Sequence, residues 1–224
     1  MKMDEGLRRL PRENMGTIPF DLVITSPYQR ARETAQIITG NADIPCIQDA
    51  RIREITWGDW DGLTPEEIAE AGGKERFELF YTNPFFFRGA PGGENIRQVC
   101  ERGKDFYEEL IRNEVFQDKT ILVATHGCAL RGILNHLYEN PSDFWQGGVP
   151  ANCAVTILEV KHGKSCFLER DKIYYDVSLI QDFYTLKSMK DGAALILKQR
   201  RLFCFNIQFF IGESNCTSGE ITVY

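Results

Sequence analysis

Three residues, an arginine, a glutamate and a histidine, have the chemistry needed to handle a phosphate group. Arg30 lies in the first turns of a predicted helix, and its guanidinium fork can bind two phosphate oxygens at once. His126 lies near the end of residues 120–127, which carry the strongest strand pattern in the chain. Glu54 is a candidate proton donor. Around one anion, these side chains would form a phosphoryl-transfer site.

The first of two strand–helix units positions Arg30. Residues 20–26 form a short apolar and β-branched run between prolines, which is typical of a buried strand. Ser26 can cap a helix over residues 28–39, which we expect to stop at Gly40. The N terminus of such a helix offers unpaired N–H groups and a partial positive charge, and both favour phosphate.

The second unit positions His126. Residues 120–127 predict a buried strand, and residues 128–140 predict a helix that Pro141 ends. In an open α/β sheet, ligands bind beyond the carboxyl ends of the strands. We therefore expect Arg30 and His126 at the same edge of one sheet.

Further elements surround these two units. Thr64 and Glu67 have the spacing of a capping box and predict a helix start. Residues 72–93, rich in glycine and proline, are interpreted as an irregular lid or insertion, and a helix is expected over residues 95–112. Residues 154–175 predict a β-hairpin.

Composition excludes several classes of protein. The net charge of -6 over 224 residues argues against nucleic-acid and anionic-membrane partners. The charged N terminus lacks the apolar core of a secretory signal, and no apolar run is long enough to span a membrane. The seven cysteines fit no zinc pattern and are expected to be reduced thiols. These features predict a cytoplasmic protein.

Five motifs, taken in order, resemble those of the histidine phosphatase superfamily of phosphoglycerate mutase-like proteins. SPYQRARETA (26–35) is similar to the family's Ser-Pro-x-x-Arg-Ala-x-x-Thr-Ala signature, and RIREITWGDWDG (51–62) is similar to its Leu-Arg-Glu-x-x-x-Gly-x-Trp-Glu-Gly segment. The other three are PGGEN (91–95), which resembles Pro-x-Gly-Glu-Ser, VATHGCALR (123–131), which resembles the second-histidine motif, and NCAVTILEV (152–160), which resembles the following strand. The resemblance covers roughly residues 4–180.

The resemblance implies an α/β fold with three layers, in which a mostly parallel sheet has helices on both faces. It implies that Arg30 binds the phosphate, and that His126 holds a phosphate oxygen and stabilises the transition state. Glu54 would protonate the leaving alcohol and then help to activate water. The family's chemistry needs no metal or other cofactor. The implied partner is a small phosphorylated metabolite, and the choice between phosphatase and mutase, like the oligomeric state, stays open.

One departure from the family bears on activity. The family's nucleophilic histidine lies in an Arg-His-Gly motif at the end of its first strand, and this sequence contains no Arg-His-Gly; its histidines are at 126, 136 and 162. We therefore expect an N-terminally incomplete domain over residues 1–186 that lacks the first strand and exposes the sheet edges beside it. Residues 187–224 match nothing in the family and are expected to form a poorly ordered or improvised tail.

Three interpretations of function remain. The first is an enzyme for phosphomonoester hydrolysis or mutase chemistry. The second is a catalytically inactive homologue that at most binds phosphate, and the third is a fragment of a normal enzyme. Taken singly, Glu54 could instead form surface ion pairs with Arg51 and Arg53, Glu94 is expected to order the helix that follows it, and Arg131 is interpreted as surface charge.

Overall fold

The computed structural model describes residues 18–174, residue 176 and the strands 193–198 and 203–206, and the expected helix over residues 4–10 lies outside them. The described strands are β1 (Leu22–Thr25), β2 (Cys46–Gln48), β3 (Thr120–Thr125), β4 (Val155–Lys161), β5 (Lys164–Lys172), β6 (Ala193–Lys198) and β7 (Phe203–Asn206). The described α-helices are α1 (Gln29–Thr39), α2 (Pro65–Glu70), α3 (Lys74–Thr82), α4 (Ile96–Arg112) and α5 (Gly127–Leu134). In this part of the chain, no helix combines the length and the apolar character needed to cross a bilayer.

The two strands that were predicted to carry the site pair directly. The strand order of the sheet is β2-β1-β3-β6-β7-β4-β5, and β1 runs parallel to both β2 and β3. Leu22 lies opposite Ile121, and Thr25 lies opposite Ala124. The carboxyl ends of β1 and β3 therefore meet at one edge of the sheet, where α1 and α5 begin.

Alternating side chains on β1 and β3 build a core on each face of the sheet. One face packs against α4 and α5 in a cluster that includes Leu22, Ile24, Ile121, Val123, Phe106, Leu110, Leu130 and Ile133. The other face packs against α1 in a cluster that includes Val23, Leu122, Ala124, Ala31, Ala35 and Ile38. The fold is thus the three-layer α/β/α arrangement, built around a parallel three-stranded unit, that the resemblance implies.

Helices α4 and α5 approach to backbone contact through two glycines. A Cβ atom on Gly103 would lie 2.7 Å from the backbone nitrogen of Ile133, and one on Gly132 would lie 2.7 Å from a methyl carbon of Val99. No side chain fits in this contact without moving a helix. The contact fixes α5 and, with it, the strand end from which α5 begins.

Two predicted elements have different bounds in the structure. Residues 72–93 are not an irregular insertion, because α3 occupies Lys74–Thr82 within them. Phe77 and Phe80, one helical turn apart, are buried in an aromatic cluster, so burial of this face outweighs the flanking glycine and proline. The helix predicted over residues 128–140 ends at Leu134 and continues as a 3₁₀ turn over Asn135–Leu137.

The predicted β-hairpin is confirmed as β4 and β5. Lys161 lies opposite Lys164, and the two residues between them, His162 and Gly163, both have positive φ angles of 51° and 71°. This is the backbone signature of a type I′ turn, whose twist matches that of the strands.

The C-terminal strands lie between β3 and β4. β7 runs parallel to β3, with Leu122 opposite Phe203 and Thr125 opposite Asn206, and β6 runs parallel to β4. The sheet edges that the sequence predicted to be exposed are therefore paired, by residues expected to form an improvised tail. An unpaired strand edge is a template for any apolar, extended segment, and these residues supply one. The domain division at residue 186 stays a prediction.

Candidate phosphate site

The predicted arginine and histidine contact each other. Arg30, in the first turn of α1, donates from Nε to Nδ1 of His126 over 3.3 Å. The Tyr28 ring lies beside both, with its centroid 4.5 Å from the Arg30 guanidinium carbon and 5.2 Å from the His126 ring centroid. The parallel pairing of β1 and β3 produces this contact, because His126 follows the end of β3 directly and Arg30 lies in the first turn of the helix that follows β1.

The contacts of His126 determine its tautomer. An arginine can only donate, so Nδ1 of the histidine accepts and the proton of the neutral ring is on Nε2. Nε2 lies 2.7 Å from Oγ of Ser26 and donates to it. His126 is fully buried, and burial, together with the charges of Arg30 and Arg102, lowers its pKa well below the usual value. The ring is therefore neutral at physiological pH.

Glu54 lies at the N terminus of α5, immediately beyond His126. Its Oε1 accepts from the backbone N–H of Ala129 over 3.0 Å and from that of Ile55 over 2.8 Å, and its Oε2 accepts from the N–H of Cys128 over 3.3 Å. The side chain therefore binds amides two and three residues after the histidine. The three predicted site residues thus come together beyond the carboxyl ends of β1 and β3.

The buried position of Glu54 changes its acidity. Only 7% of the residue is exposed, and desolvation raises the pKa of its carboxyl group to about 7, against the backbone hydrogen bond from Ile55 and the charges of Arg30 and Arg102. A pKa near neutrality suits a group that both gives and takes a proton. The alternative of a surface ion pair is wrong, because Glu54 is buried.

Glu94 accepts hydrogen bonds from several residues, a network that the sequence did not predict. Its carboxylate accepts from Nε of Arg102 and Nη2 of Arg53, each over 2.8 Å, and from the backbone N–H of Thr56 over 3.1 Å. The start of α4 is capped by Asn95 in a capping box with Gln98, and the bonds from Arg102 tie Glu94 to the same helix, as expected. Glu94 also holds the chain on either side of Glu54.

Arg102 completes this support. Besides its two bonds to Glu94, it donates from Nη1 to the backbone oxygen of Arg51 over 2.6 Å. Its position in the sequence contains a signal, because it follows Val99 by three residues and precedes Phe106 by four, on the apolar stripe of α4. A charged residue in such a stripe needs a buried partner.

A model of the histidine phosphatase superfamily (branch 1) matches residues 6–171 of the sequence. The chain belongs to this superfamily. The match includes all five motifs and the three site residues. The site at the carboxyl ends of β1 and β3 therefore lies within the part of the chain that matches the superfamily.

Similar curated proteins are phosphoglycerate mutases. The 2,3-bisphosphoglycerate-dependent phosphoglycerate mutase of Cytophaga hutchinsonii is 32% identical over 127 residues, which are 55% of this chain and 59% of that protein. The enzyme of the same name from Bartonella quintana is 30% identical over 120 residues, which are 52% of this chain and 57% of that protein. The chain therefore spans less than two thirds of the length of these relatives.

Solved structures agree on the fold. Bacillus stearothermophilus YhfR superposes with a TM-score of 0.67 at 28% identity, covering 76% of this chain and 84% of that chain. A mycobacterial glucosyl-3-phosphoglycerate phosphatase in complex with inorganic phosphate superposes with a TM-score of 0.64 at 21% identity, covering 76% of this chain and 86% of that chain. At the lower identity, the likeness concerns the fold alone.

Two of the histidine phosphatase motifs meet in backbone contact near Glu54. A Cβ atom on Gly58 would lie 2.1 Å from the carbonyl oxygen of Pro91, which accepts a hydrogen bond from the N–H of Asp59 over 2.8 Å. The motifs at 51–62 and 91–95, separate in the sequence, therefore pack directly against each other.

Arg131, in the histidine phosphatase motif after β3, is not a surface charge. Its side chain is 3% exposed and donates from Nη2 to Oδ2 of Asp171 over 2.8 Å and to the backbone oxygen of Gly148 over 2.9 Å. Every residue of α5 is buried, so an arginine in this helix must find a partner within the fold. The ion pair joins α5 to β5.

Proposed function

We propose that this chain binds the phosphate group of a small phosphorylated metabolite at the Arg30–His126 site, with little or no turnover. The hydrogen bond between Arg30 and His126 at the joined ends of β1 and β3 carries this proposal. The contact places a guanidinium and a buried imidazole together, and both groups can hold phosphate oxygens.

Phosphate binding would change the contacts of these residues. The guanidinium of Arg30 can bind two phosphate oxygens at once. A bound dianion would therefore compete with Nδ1 of His126 for the N–H at Nε of Arg30. The negative charge would also raise the pKa of His126, because it opposes the effect of the two arginines. When Arg30 turns to the phosphate, Nδ1 of His126 loses its donor, and the ring can offer an N–H to a phosphate oxygen.

Turnover needs a further group. The superfamily resemblance implies a phosphohistidine intermediate, and covalent catalysis requires a nucleophile placed for attack. Both ring nitrogens of His126 are engaged, by Arg30 and Ser26. His136 packs with its ring centroid 5.3 Å from that of Tyr107, and His162 lies in the hairpin turn. We therefore assign no nucleophile to this chain.

Binding and turnover are tested together on the purified chain. Orthovanadate and inorganic phosphate serve as binding probes in calorimetry, and a chromogenic phosphomonoester reports hydrolysis. We expect binding without turnover, and Arg30→Ala should weaken phosphate binding by roughly ten- to a hundredfold, since it removes hydrogen bonds to a charged group. Arg32→Ala, in the same helix, is the matched control and should leave affinity unchanged.

Two results would contradict the proposal. Absence of phosphate binding, with the fold intact by circular dichroism, would remove the site. Hydrolysis at ordinary enzyme rates that His126→Ala abolishes would show that this site turns over its ligand, with a nucleophile that the proposal does not assign.

The second candidate is complete phosphomonoester hydrolysis or mutase chemistry. The pKa of Glu54, about 7, favours it, because such a carboxyl can protonate a leaving alcohol and then take a proton from water. This candidate requires an attacking histidine from outside residues 1–224. The nucleotide sequence upstream of Met1 tests it, since an in-frame Arg-His-Gly there would supply that residue.

A further inference from the structure

The middle of the sheet is built by β6 and β7, the last strands that the structure describes. Within the described residues, β3 and β4 pair with β6 and β7 but not with each other. Both inner strands are buried almost throughout, so the space between them is an interior position of the sheet. The C-terminal strands therefore join the half of the sheet that carries the site to the half formed by the hairpin.

The register of β7 directs it toward the site. Because β7 is parallel to β3, its carboxyl end lies at the same edge as the carboxyl ends of β1 and β3. Asn206 lies opposite Thr125, the residue immediately before His126. Neighbouring strands are about 4.8 Å apart, so position 206 is roughly one strand spacing from the start of the site.

The sequence of this strand changes character at the same point. The first three residues of the strand Phe203–Asn206 are apolar, and Asn206, at the carboxyl end, carries a polar amide. An uncharged amide is compatible with an anion, whereas a carboxylate there would repel it.

We propose that β7 forms one wall of the phosphate site, with position 206 beside His126. The proposal rests on the phosphate site described under the proposed function. It assigns a role in ligand binding to a segment that lies outside the superfamily match and that shares no motif with it.

The placement of β7 is tested by cross-linking. Thr156 on β4 lies opposite Cys204 in an antiparallel pair, and such pairs have Cα atoms about 4.5–5.5 Å apart, within reach of a disulfide. Under mild oxidation, Thr156→Cys should form a disulfide with Cys204 that peptide mass spectrometry identifies. Ile157→Cys, the adjacent position on the other face, should not form this link.

The effect on the ligand is tested by charge. Asn206→Lys should tighten and Asn206→Asp should weaken the binding of inorganic phosphate, each by about three- to tenfold at low salt. Lys198→Glu is the matched control, because Lys198 lies opposite Thr120, at the other end of β3. Its charge reversal should leave the affinity unchanged.

The outcomes separate the two proposals. If the wild-type chain binds phosphate but the two substitutions at position 206 have no effect, or if the link between position 156 and Cys204 does not form, the wall assignment is wrong and the proposed function stands. If the wild-type chain binds no phosphate, the proposed function fails, and the cross-link still decides whether β7 lies between β3 and β4.

Discussion

The two edges of β3 are built in different ways. On one edge, β1 pairs in a single parallel register from Leu22 to Thr25, and a family motif leads from it to Arg30. On the other edge, two strands from a segment without a family match share the pairing. The first edge is encoded by adjacent residues and their motif. The second edge is paired by a segment outside the superfamily match. The sheet thus combines a motif-encoded half, built on β1 and β3, with an improvised half, built on β6 and β7.

Removing the improvised half should have the largest effect. Deleting residues 187–224 leaves the edges of β3 and β4 without partners, and we expect aggregation or a fall in melting temperature of roughly 10 °C or more. Truncation after Asn206 retains both strands and should preserve most of the stability. A deletion protein that keeps the wild-type melting temperature would show that the two edges of β3 are not both needed.

Glu54 tests the motif-encoded half through pH. Because the folded pKa of about 7 exceeds the unfolded value of 4.5, the neutral side chain contributes its full stability below pH 4.5 and loses it as pH rises through 7. This loss is about 3 kcal/mol. Urea unfolding from pH 5 to pH 8 should show Glu54→Gln gaining relative to the wild type as pH rises. The exposed Glu70→Gln should show no such gain, and an equal slope in both variants would contradict the assignment.

The contact between α4 and α5 tests how firmly the motif-encoded half is held. Gly132→Ala introduces a Cβ atom 2.7 Å from Val99, and overpacking of this kind destabilises by about 1–3 kcal/mol. Chemical denaturation measures the loss. Glu101→Ala, at an exposed position on α4, is the control and should change stability by under about 0.5 kcal/mol. If Gly132→Ala and Glu101→Ala were equally stable, α4 and α5 could move apart without a loss in the free energy of unfolding.

The smallest expected effect is at the start of α2, far from both edges of β3. Thr64 accepts from the backbone N–H of Glu67, whose side chain accepts from the N–H of Thr64. Thr64→Ala should destabilise the protein by about 1 kcal/mol, without changing phosphate affinity. Glu67→Gln preserves a capping box and should have a smaller effect. A change in affinity with Thr64→Ala would show that this helix is coupled to the site.

Local patterns predicted the motif-encoded half of the sheet and, beyond β6 and β7, the hairpin. The strand–helix units around Arg30 and His126, the capping box at Thr64 and the hairpin at 154–175 each depend on residues close in sequence, and the structure confirms them. The closeness of Arg30 and His126 followed from the general rule about strand ends.

What the sequence missed depends on distant partners. α3 forms because Phe77 and Phe80 pack into an aromatic cluster. Arg131 can be buried because it pairs with Asp171, which is 40 residues further along the chain. The support of Glu54 by Glu94 and Arg102 likewise joins segments that are separate in the sequence. The pairing of β6 and β7 with β3 and β4 has no local signal, since an apolar strand can pair with any open edge.

The central position of β6 and β7 has a consequence for biosynthesis. A chain leaves the ribosome from its N terminus at about 5–20 residues per second. The motif-encoded half of the sheet emerges early, but its interior edge cannot close until residues 193–206 have been translated. Until then, β3 of the nascent chain has one edge without a partner strand. The fraction of stalled nascent chains that carry a bound chaperone should therefore fall once residues 193–206 have left the exit tunnel.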